Sequence, residues 1–249
     1  MTGLAGSLPL VVVGGWGVDA RMLQVAVNEW PRPVYFQSLD DDLLASSLSV
    51  SEVAKSLISQ YPQPAVWLGW SQGAQIVMTA ANLPGTPVEK VVTLAGFPRF
   101  VAGDGWPAGM AVEMFEAFRT GLAADPSRTW RRFQQLLIRG GPGNQVAQAR
   151  KALRPWVASG PVATGSNLER GLDWLAREDQ RDLWQHSGRP ALHLLAEADA
   201  LIRPWSSDLT VPEFATVKVV SGMTHWPTGP HALECGRALN EFCHAERAP

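Results

Sequence analysis

The sequence AVWLGWSQGAQIVMTAA occupies residues 65–81 and holds a serine between two glycines. Its start, Ala65–Leu68, is a short apolar run typical of a buried strand, and Ala74–Ala81 is typical of a helix. The pentapeptide Gly69–Gly73 between them has the pattern G-x-S-x-G. Where this pattern joins a strand to a helix, the serine sits on a strained turn with its hydroxyl pushed out of the sheet. We therefore predict that Ser71 is a nucleophile.

Other short apolar runs precede and follow this segment along the chain. Strands are predicted at residues 9–13, 34–37, 88–95, 190–195 and 215–220, and helices at residues 51–60 and 233–243. Strands that alternate with helices favour a mostly parallel sheet covered on both faces. The predicted fold class is therefore α/β.

The middle of the chain differs from its two ends. No convincing strand occurs from about residue 103 to 185, and helical patterns are found at residues 110–122, 126–138, 145–157 and 168–177. We predict that residues 103–186 form an inserted helical lid of four helices. Residues 1–102 and 187–249 would then form the α/β core.

The general base should follow the last strand, because in this arrangement the chain order is nucleophile, acid, histidine. His225, after the strand at residues 215–220, is favoured by this order. His231 is the alternative, although it is predicted to begin the last helix. His193 lies in an apolar strand and is predicted to be a packed core residue. The other two histidines are His186, at the end of the insert, and His244, in the C-terminal tail.

The acid is expected in the loop after the strand at residues 190–195, which holds Asp199 and Glu197. Asp199 begins the turn and is favoured. Glu197 is interpreted as a solvated loop carboxylate that could substitute for it. In this arrangement the histidine takes the serine proton, while the acid orients the imidazole and stabilises its charged form.

Two backbone N–H groups are expected to hold the oxyanion of an acyl-transfer reaction. One belongs to Gln72, directly after the nucleophile. The other belongs to Trp16, in the loop Gly14–Gly17 that follows the first predicted strand. Without the pentapeptide, a tight glycine-rich turn would explain this loop equally well.

Composition narrows the class of protein. The 249 residues carry a formal net charge of −2, which argues against a surface that generally attracts nucleic acid. No apolar stretch approaches the roughly 18 residues needed to span a bilayer, and the N-terminus lacks the features of a signal peptide. Cys235 and Cys243 are too far apart on one helix for a disulfide, and neither has metal-ligand spacing with a histidine. We expect a cytoplasmic protein without a metal.

With these residues assigned, the chain resembles the pimeloyl-[acyl-carrier protein] methyl ester esterases of biotin synthesis, which belong to the α/β-hydrolases. The resemblance covers most of the chain. It rests on Gly15–Gly17, Trp67–Gly73, Phe97 through Trp106-Pro107, Arg128-Thr129, Arg132-Phe133, Leu168–Leu172, Asp199 and His225. The tryptophan before Ser71 is more selective than the general pentapeptide.

The resemblance implies a carboxylesterase that hydrolyses a methyl ester at the far end of a pimeloyl chain without a cofactor. It also implies acyl carrier protein as the partner, bound through basic lid residues. Arg128, Arg132 and Arg150 fall on such positions, and Lys151 and Arg154 are their neighbours. The enzyme is expected to be a monomer.

The charge of the lid agrees with an acidic partner. The segment Arg119–Arg154 holds eight Arg or Lys and one acid, Asp125, which is a net charge of +7. Such an excess would speed encounter with an acidic protein, although solvated helix faces paired with the core would explain it as well. The side chains of Trp70, Phe133, Leu136 and Leu137 could line a groove for a methylene chain, or belong to the lid core.

Two early segments depart from the family. Gly14 stands where the family usually has histidine, and Ser38–Asp42 stands where it has a Pro-Gly-x-Gly-x-Ser turn. These departures leave a general short-chain carboxylesterase or lipase-type hydrolase, without a carrier partner, as the second hypothesis. A ligand-binding protein on the same scaffold is the third, and the presence of all three catalytic residue types argues against it.

Overall fold

One six-stranded sheet forms the centre of the molecule, whose computed structural model describes residues 8–244. The strands are β1 (Leu10–Val13), β2 (Val34–Gln37), β3 (Ala65–Trp70), β4 (Val88–Leu94), β5 (Ala191–Ala196) and β6 (Ala215–Val220). All six run parallel in the order β2-β1-β3-β4-β5-β6. The predicted α/β fold with a mostly parallel sheet is confirmed. Residues 1–7 and 245–249 of the predicted core lie outside the described residues.

The burial of the strands follows their place in the sheet. Strands β1, β3 and β5 are buried along their whole length, whereas the edge strands β2 and β6 are partly exposed. A parallel strand covered on both faces has no polar side, which explains the continuous apolar runs of the central strands.

Five helices belong to the core sequence segments: α1 (Gln24–Val27), α2 (Asp41–Ala45), α3 (Val50–Gln60), α4 (Gln72–Ala81) and α10 (Pro230–His244). Helix α4 packs on β1, β3 and β4, and α10 packs on α1 and β5. At the start of helix α3 the N-cap Ser49 Oγ accepts from the Glu52 N–H, and the Glu52 carboxylate accepts from the N–H of Leu48, the residue before the cap. The sequence patterns did not predict α1 and α2, which are only four and five residues long.

The remaining helices lie between β4 and β5. They are α5 (Val112–Ala124), α6 (Pro126–Leu136), α7 (Gly143–Ser159), α8 (Gly165–Arg177) and the unpredicted short α9 (Arg181–Gln185). Helix α5 packs on α6 and α8, α6 packs on α7, and α8 also contacts α2. The division of the chain into a core and a lid stays a prediction.

Two further features concern the described residues. No helix within residues 8–244 has both the length and the apolar character needed to cross a membrane.

Cys235 and Cys243 are buried thiols in α10 that form no disulfide. Burial raises the pKa of each thiol to about 12, so both are protonated and weakly nucleophilic at neutral pH.

Candidate active site

Ser71 is the single residue between a strand and a helix. Strand β3 extends to Trp70 and α4 begins at Gln72, so the turn is tighter than the sequence patterns predicted. The backbone of Ser71 has φ 56° and ψ −123°, a conformation that is costly for a residue other than glycine. Its N–H donates to the Leu94 carbonyl at 3.0 Å, which ties the turn to β4.

The two glycines of the pentapeptide permit this turn. A side chain on Gly69 would overlap the backbone of Gly73, and one on Gly73 would overlap the Val13 carbonyl at the end of β1. Helix α4 can therefore start directly against the sheet, with its free N-terminal N–H groups beside Ser71. These groups favour negative charge at that point.

The glycine-rich loop after β1 lies beside the nucleophile. A Cβ placed on Gly15 would be 3.1 Å from Ser71 Cβ and 3.5 Å from Ser71 Oγ. The backbone of the next residue, Trp16, therefore begins close to the serine. The structure thus brings together the two residues, Trp16 and Gln72, whose N–H groups were predicted to hold an oxyanion.

His225 and Asp199 form a buried pair. His225 Nδ1 and Asp199 Oδ2 are 2.6 Å apart, and the two side chains are 0% and 2% exposed. The other carboxylate oxygen accepts the N–H groups of Leu201 at 2.8 Å and Ile202 at 3.2 Å. An ionised carboxylate only accepts hydrogen bonds, so we assign the imidazole proton to Nδ1. His225 Nε2, which has no hydrogen-bond partner among residues 8–244, is then free to accept a proton.

Trp70 contacts the proposed base. It was predicted to bind substrate or carrier, but its side chain is fully buried and its indole N–H donates to the His225 carbonyl at 2.8 Å. This bond orients the loop that carries the imidazole. In this structure Trp70 therefore contacts the loop of His225 and offers no surface to a bound molecule.

A turn of the insert also holds the two loops that carry the proposed acid and base. The Trp226 N–H, next to His225, donates to the Leu137 carbonyl at 2.9 Å. Gly140, three residues further along, lies against the carbonyl of Ala198, next to Asp199. Sequence patterns missed these contacts because they join backbone groups that are distant along the chain.

Among residues 8–244, neither the alternative acid nor the alternative bases bond to His225 or Asp199. Glu197 is exposed and accepts from the Ser221 hydroxyl at 2.8 Å and the Gly222 N–H at 2.9 Å. The hydrogen bond from Gly222, with that from Ser221, lowers the pKa of Glu197. His231 is the second residue of α10, as expected. His193 is fully buried, stacks on Trp184 and bonds to Thr93 Oγ1 at 2.8 Å, as expected of a core residue.

His193 makes the stability of the protein depend on pH. Burial lowers its pKa from 6.5 to about 3, so the folded protein holds it neutral. Below pH 6.5 the unfolded chain binds a proton that the folded chain does not. We expect the free energy of unfolding to fall by up to about 1.4 kcal/mol per pH unit from this residue alone as the pH drops from 6.5 toward 3. His193→Asn should remove that slope in urea unfolding measured across this range.

The control for this measurement is His186→Asn, because the His186 side chain is 73% exposed whereas that of His193 is fully buried. The unfolding free energy of the His186→Asn variant should change with pH as that of the wild type does. Identical pH slopes for wild type and His193→Asn would contradict the prediction.

A narrow apolar slot lies beside Trp16, with a volume of about 20 Å³. Phe133 is buried there, and its ring meets the Trp16 ring edge-on with centroids 5.0 Å apart. The slot is lined by Trp16, Phe100, Met110, Phe118, Phe133, Leu136, Leu172, Leu175 and Leu201. Of the apolar side chains named from sequence, Phe133 and Leu136 reach this slot, whereas Leu137 and Trp70 do not line it.

A basic groove of about 430 Å³ runs between α6 and α7. Arg132, Arg139 and Arg150 line it, and Leu136 belongs both to this groove and to the apolar slot. Arg128, Lys151 and Arg154 are exposed but lie outside the groove lining. Within the described part of the chain, none of these six cations forms an ion pair. Arg139 was not singled out from the sequence, although it belongs to the basic segment.

Within residues 8–244, no three or more His, Cys, Asp or Glu residues lie close enough together to hold a metal ion.

Comparison with known proteins identifies the family of the chain. A model of the Alpha/beta hydrolase family matches residues 11–237. The chain belongs to this family. Among curated relatives of this hydrolase, the pimeloyl-[acyl-carrier protein] methyl ester esterase of Sodalis glossinidius is 31% identical, over 97% of this chain and 95% of that protein. The resemblance drawn from the sequence motifs is confirmed.

Another relative of the hydrolase is longer. The biotin biosynthesis bifunctional protein BioHC of Cellvibrio japonicus is 35% identical over 78% of this chain, and the match spans 38% of that protein. Among solved structures, an esterase from Exiguobacterium antarcticum has a TM-score of 0.75 at 15% identity, covering 96% of this chain and 92% of that chain. At that identity the similarity concerns the fold alone.

Proposed function

We propose that this hydrolase is a serine carboxylesterase that cleaves the methyl ester of a pimeloyl chain carried by acyl carrier protein, in biotin synthesis. The observation that carries the proposal is the buried pair of His225 and Asp199, 2.6 Å apart, in the same fold as a strained Ser71. The substrate is proposed from the activity after which the relatives are named. The basic groove and the apolar slot support it.

The proposed reaction has two halves. In the first, Ser71 Oγ bonds to the ester carbonyl carbon as His225 Nε2 takes the hydroxyl proton. The oxyanion is held by the N–H groups of Trp16 and Gln72. The C–O bond to the methoxy group then breaks, and the imidazolium returns the proton to release methanol. In the second half water attacks the acyl-enzyme with the same base, and Ser71 and the free carboxylic acid are restored.

The acyl chain would occupy the apolar slot beside Trp16. Each methylene group buried there contributes about 0.8 kcal/mol to binding. The slot of about 20 Å³ is too small for a seven-carbon chain, and Ser71 is only 6% exposed. Side chains between the slot and the groove must therefore move when substrate binds. Leu136, which borders both cavities, is the residue that separates them.

The carrier would dock on the basic groove between α6 and α7. Acyl carrier protein is strongly acidic, and the unpaired guanidinium groups of Arg132, Arg139 and Arg150 are complementary to it. As part of the same proposal, the enzyme works in the cytoplasm as a monomer.

The test of this proposal is charge reversal in the groove. We expect Arg132→Glu with Arg150→Glu to lower kcat/KM for methyl pimeloyl-acyl carrier protein on the order of 10- to 100-fold, because the acidic partner is repelled. The kcat/KM for p-nitrophenyl acetate should stay unchanged. The wild-type preference for the carrier substrate should also weaken between low and moderate salt, as charges are screened.

The matched control is Arg32→Glu with Arg237→Glu, which changes the net charge by the same amount at exposed sites outside the insert. This variant should keep nearly wild-type activity on the carrier substrate. Equal losses in the two double variants, or a wild type that prefers short free esters, would return the protein to the general carboxylesterases.

A further inference from the structure

The two residues proposed to hold the oxyanion also share a structural partner. The Trp16 indole N–H donates to the Leu168 carbonyl at 2.8 Å, and the Gln72 side-chain amide donates to the Gly171 carbonyl at 2.7 Å. Both side chains are buried. The two acceptors are three residues apart in α8, so they lie on one face of that helix. Each is a helix carbonyl, whose second lone pair accepts the added bond.

Gly171 lets α8 come this close. A Cβ at this position would lie 2.9 Å from Trp16 Cδ1 and 3.5 Å from the side-chain oxygen of Gln72. Any larger residue would push the helix away from both side chains. Helix α8 therefore packs on the glycine-rich loop and on the start of α4 at the same point.

The N-terminus of α8 is fixed separately to the core. The Asp41 carboxylate, at the start of α2, accepts the N–H and the hydroxyl of Thr164, each at 2.9 Å, and the Asn167 side-chain N–H at 2.9 Å. The bond from Asn167, with those from Thr164, lowers the pKa of Asp41. Arg170, further along α8, donates to the Leu44 carbonyl of α2. Helix α8 is thus held by α2 and in turn holds the loops beside Ser71.

We propose that the side chains of Trp16 and Gln72 are positioning residues, and that α8 braces the oxyanion hole through them. This inference rests on the proposed function, because it assumes that the backbone N–H groups of these two residues face the oxyanion. Such donors act only if they are fixed within hydrogen-bond distance of the developing charge before the reaction. Attachment of both side chains to α8 supplies that preorganisation, because it fixes the positions of the two backbone donors.

The test compares two glutamines of the same helix. Gln72→Met removes the bond to α8, whereas Gln75→Met removes a buried glutamine that donates to the Pro98 carbonyl outside the site. For p-nitrophenyl acetate, we expect Gln72→Met to lower kcat about 10-fold with KM within about twofold, a smaller loss than that of a whole oxyanion donor. Gln75→Met should leave both constants near wild type.

A boronic acid separates positioning from general destabilisation. Boronates add to the serine and place an oxygen where the oxyanion forms. The affinity for butylboronic acid should fall with kcat in Gln72→Met and be retained in Gln75→Met. Trp16→Phe keeps an aromatic ring but loses the N–H that donates to the Leu168 carbonyl. This variant should lower kcat and the boronate affinity as Gln72→Met does.

Several results would overturn the inference. One is an unchanged kcat and boronate affinity in a folded Gln72→Met protein, and another is equal losses in Gln72→Met and Gln75→Met. The substrate proposal can fail independently, because neither measurement uses the carrier. If Ser71→Ala kept its activity, the proposed site itself would be wrong.

Discussion

Replacing Ser71 by Ala is expected to lower kcat for ester hydrolysis by about 10⁴- to 10⁶-fold, because no acyl-enzyme can form. The loss should be equal for methyl pimeloyl-acyl carrier protein and for p-nitrophenyl acetate, since both reactions need the same Oγ. The substitution removes only the side-chain oxygen, so we expect the fold to stay intact and the melting temperature to stay near that of the wild type. Initial rates and thermal unfolding of the two proteins measure both effects.

The control is Ser207→Ala, which removes the hydroxyl of an exposed serine. This variant should keep wild-type activity. A fluorophosphonate probe should label the wild type and Ser207→Ala but not Ser71→Ala. Full hydrolysis by Ser71→Ala would show that the nucleophile lies elsewhere, and a wild type without either labelling or turnover would favour a binding protein on this scaffold.

Replacing Asp199 by Asn is expected to lower kcat by about 10⁴-fold at neutral pH. The carboxylate accepts a hydrogen bond from the Nδ1–H of His225 at 2.6 Å, and this tautomer leaves Nε2 unprotonated. An amide could instead donate to Nδ1, which would favour the tautomer with the proton on Nε2. That tautomer cannot take the proton from Ser71. Steady-state kinetics with p-nitrophenyl acetate measure the loss.

Glu197→Gln is the matched control, because it makes the same chemical change two residues away. Glu197 is exposed and contacts Ser221 and Gly222 rather than the imidazole. Its kcat should fall by no more than a few-fold, in line with a surface substitution. A larger loss in Glu197→Gln than in Asp199→Asn would reverse the assignment of the acid.

The order of strands and helices could be predicted because it depends on local patterns. The apolar runs of β1, β2 and β6 stand within one residue of their predicted positions. The pentapeptide predicted a tight turn, since only glycines at positions 69 and 73 allow a helix to begin directly against the sheet. Helices α1, α2 and α9 were missed because four or five residues carry too little periodicity to indicate a helix.

The surroundings of the proposed site were less predictable. The residue type of Trp70 suggested contact with a bound molecule, but the fold buries it and directs its N–H to the His225 carbonyl. Among the basic residues of the insert, the resemblance pointed to Arg128, Arg132 and Arg150, with Lys151 and Arg154 as neighbours. Arg132 and Arg150 line the groove together with Arg139, which was not singled out, whereas Arg128 does not line it. Which exposed side chains of α6 and α7 converge depends on how these two helices pack.

The sequence by itself determined the α/β fold, the serine turn, and the loops in which an acid and a histidine stand. These features follow from short-range effects, namely strand and helix periodicity and the steric freedom of glycine. Only the tertiary structure decided that Asp199 rather than Glu197 meets His225, and that Trp16 and Gln72 hold α8. These contacts join residues 26 to 152 positions apart, so packing of the sheet and insert, not local sequence, sets their distances.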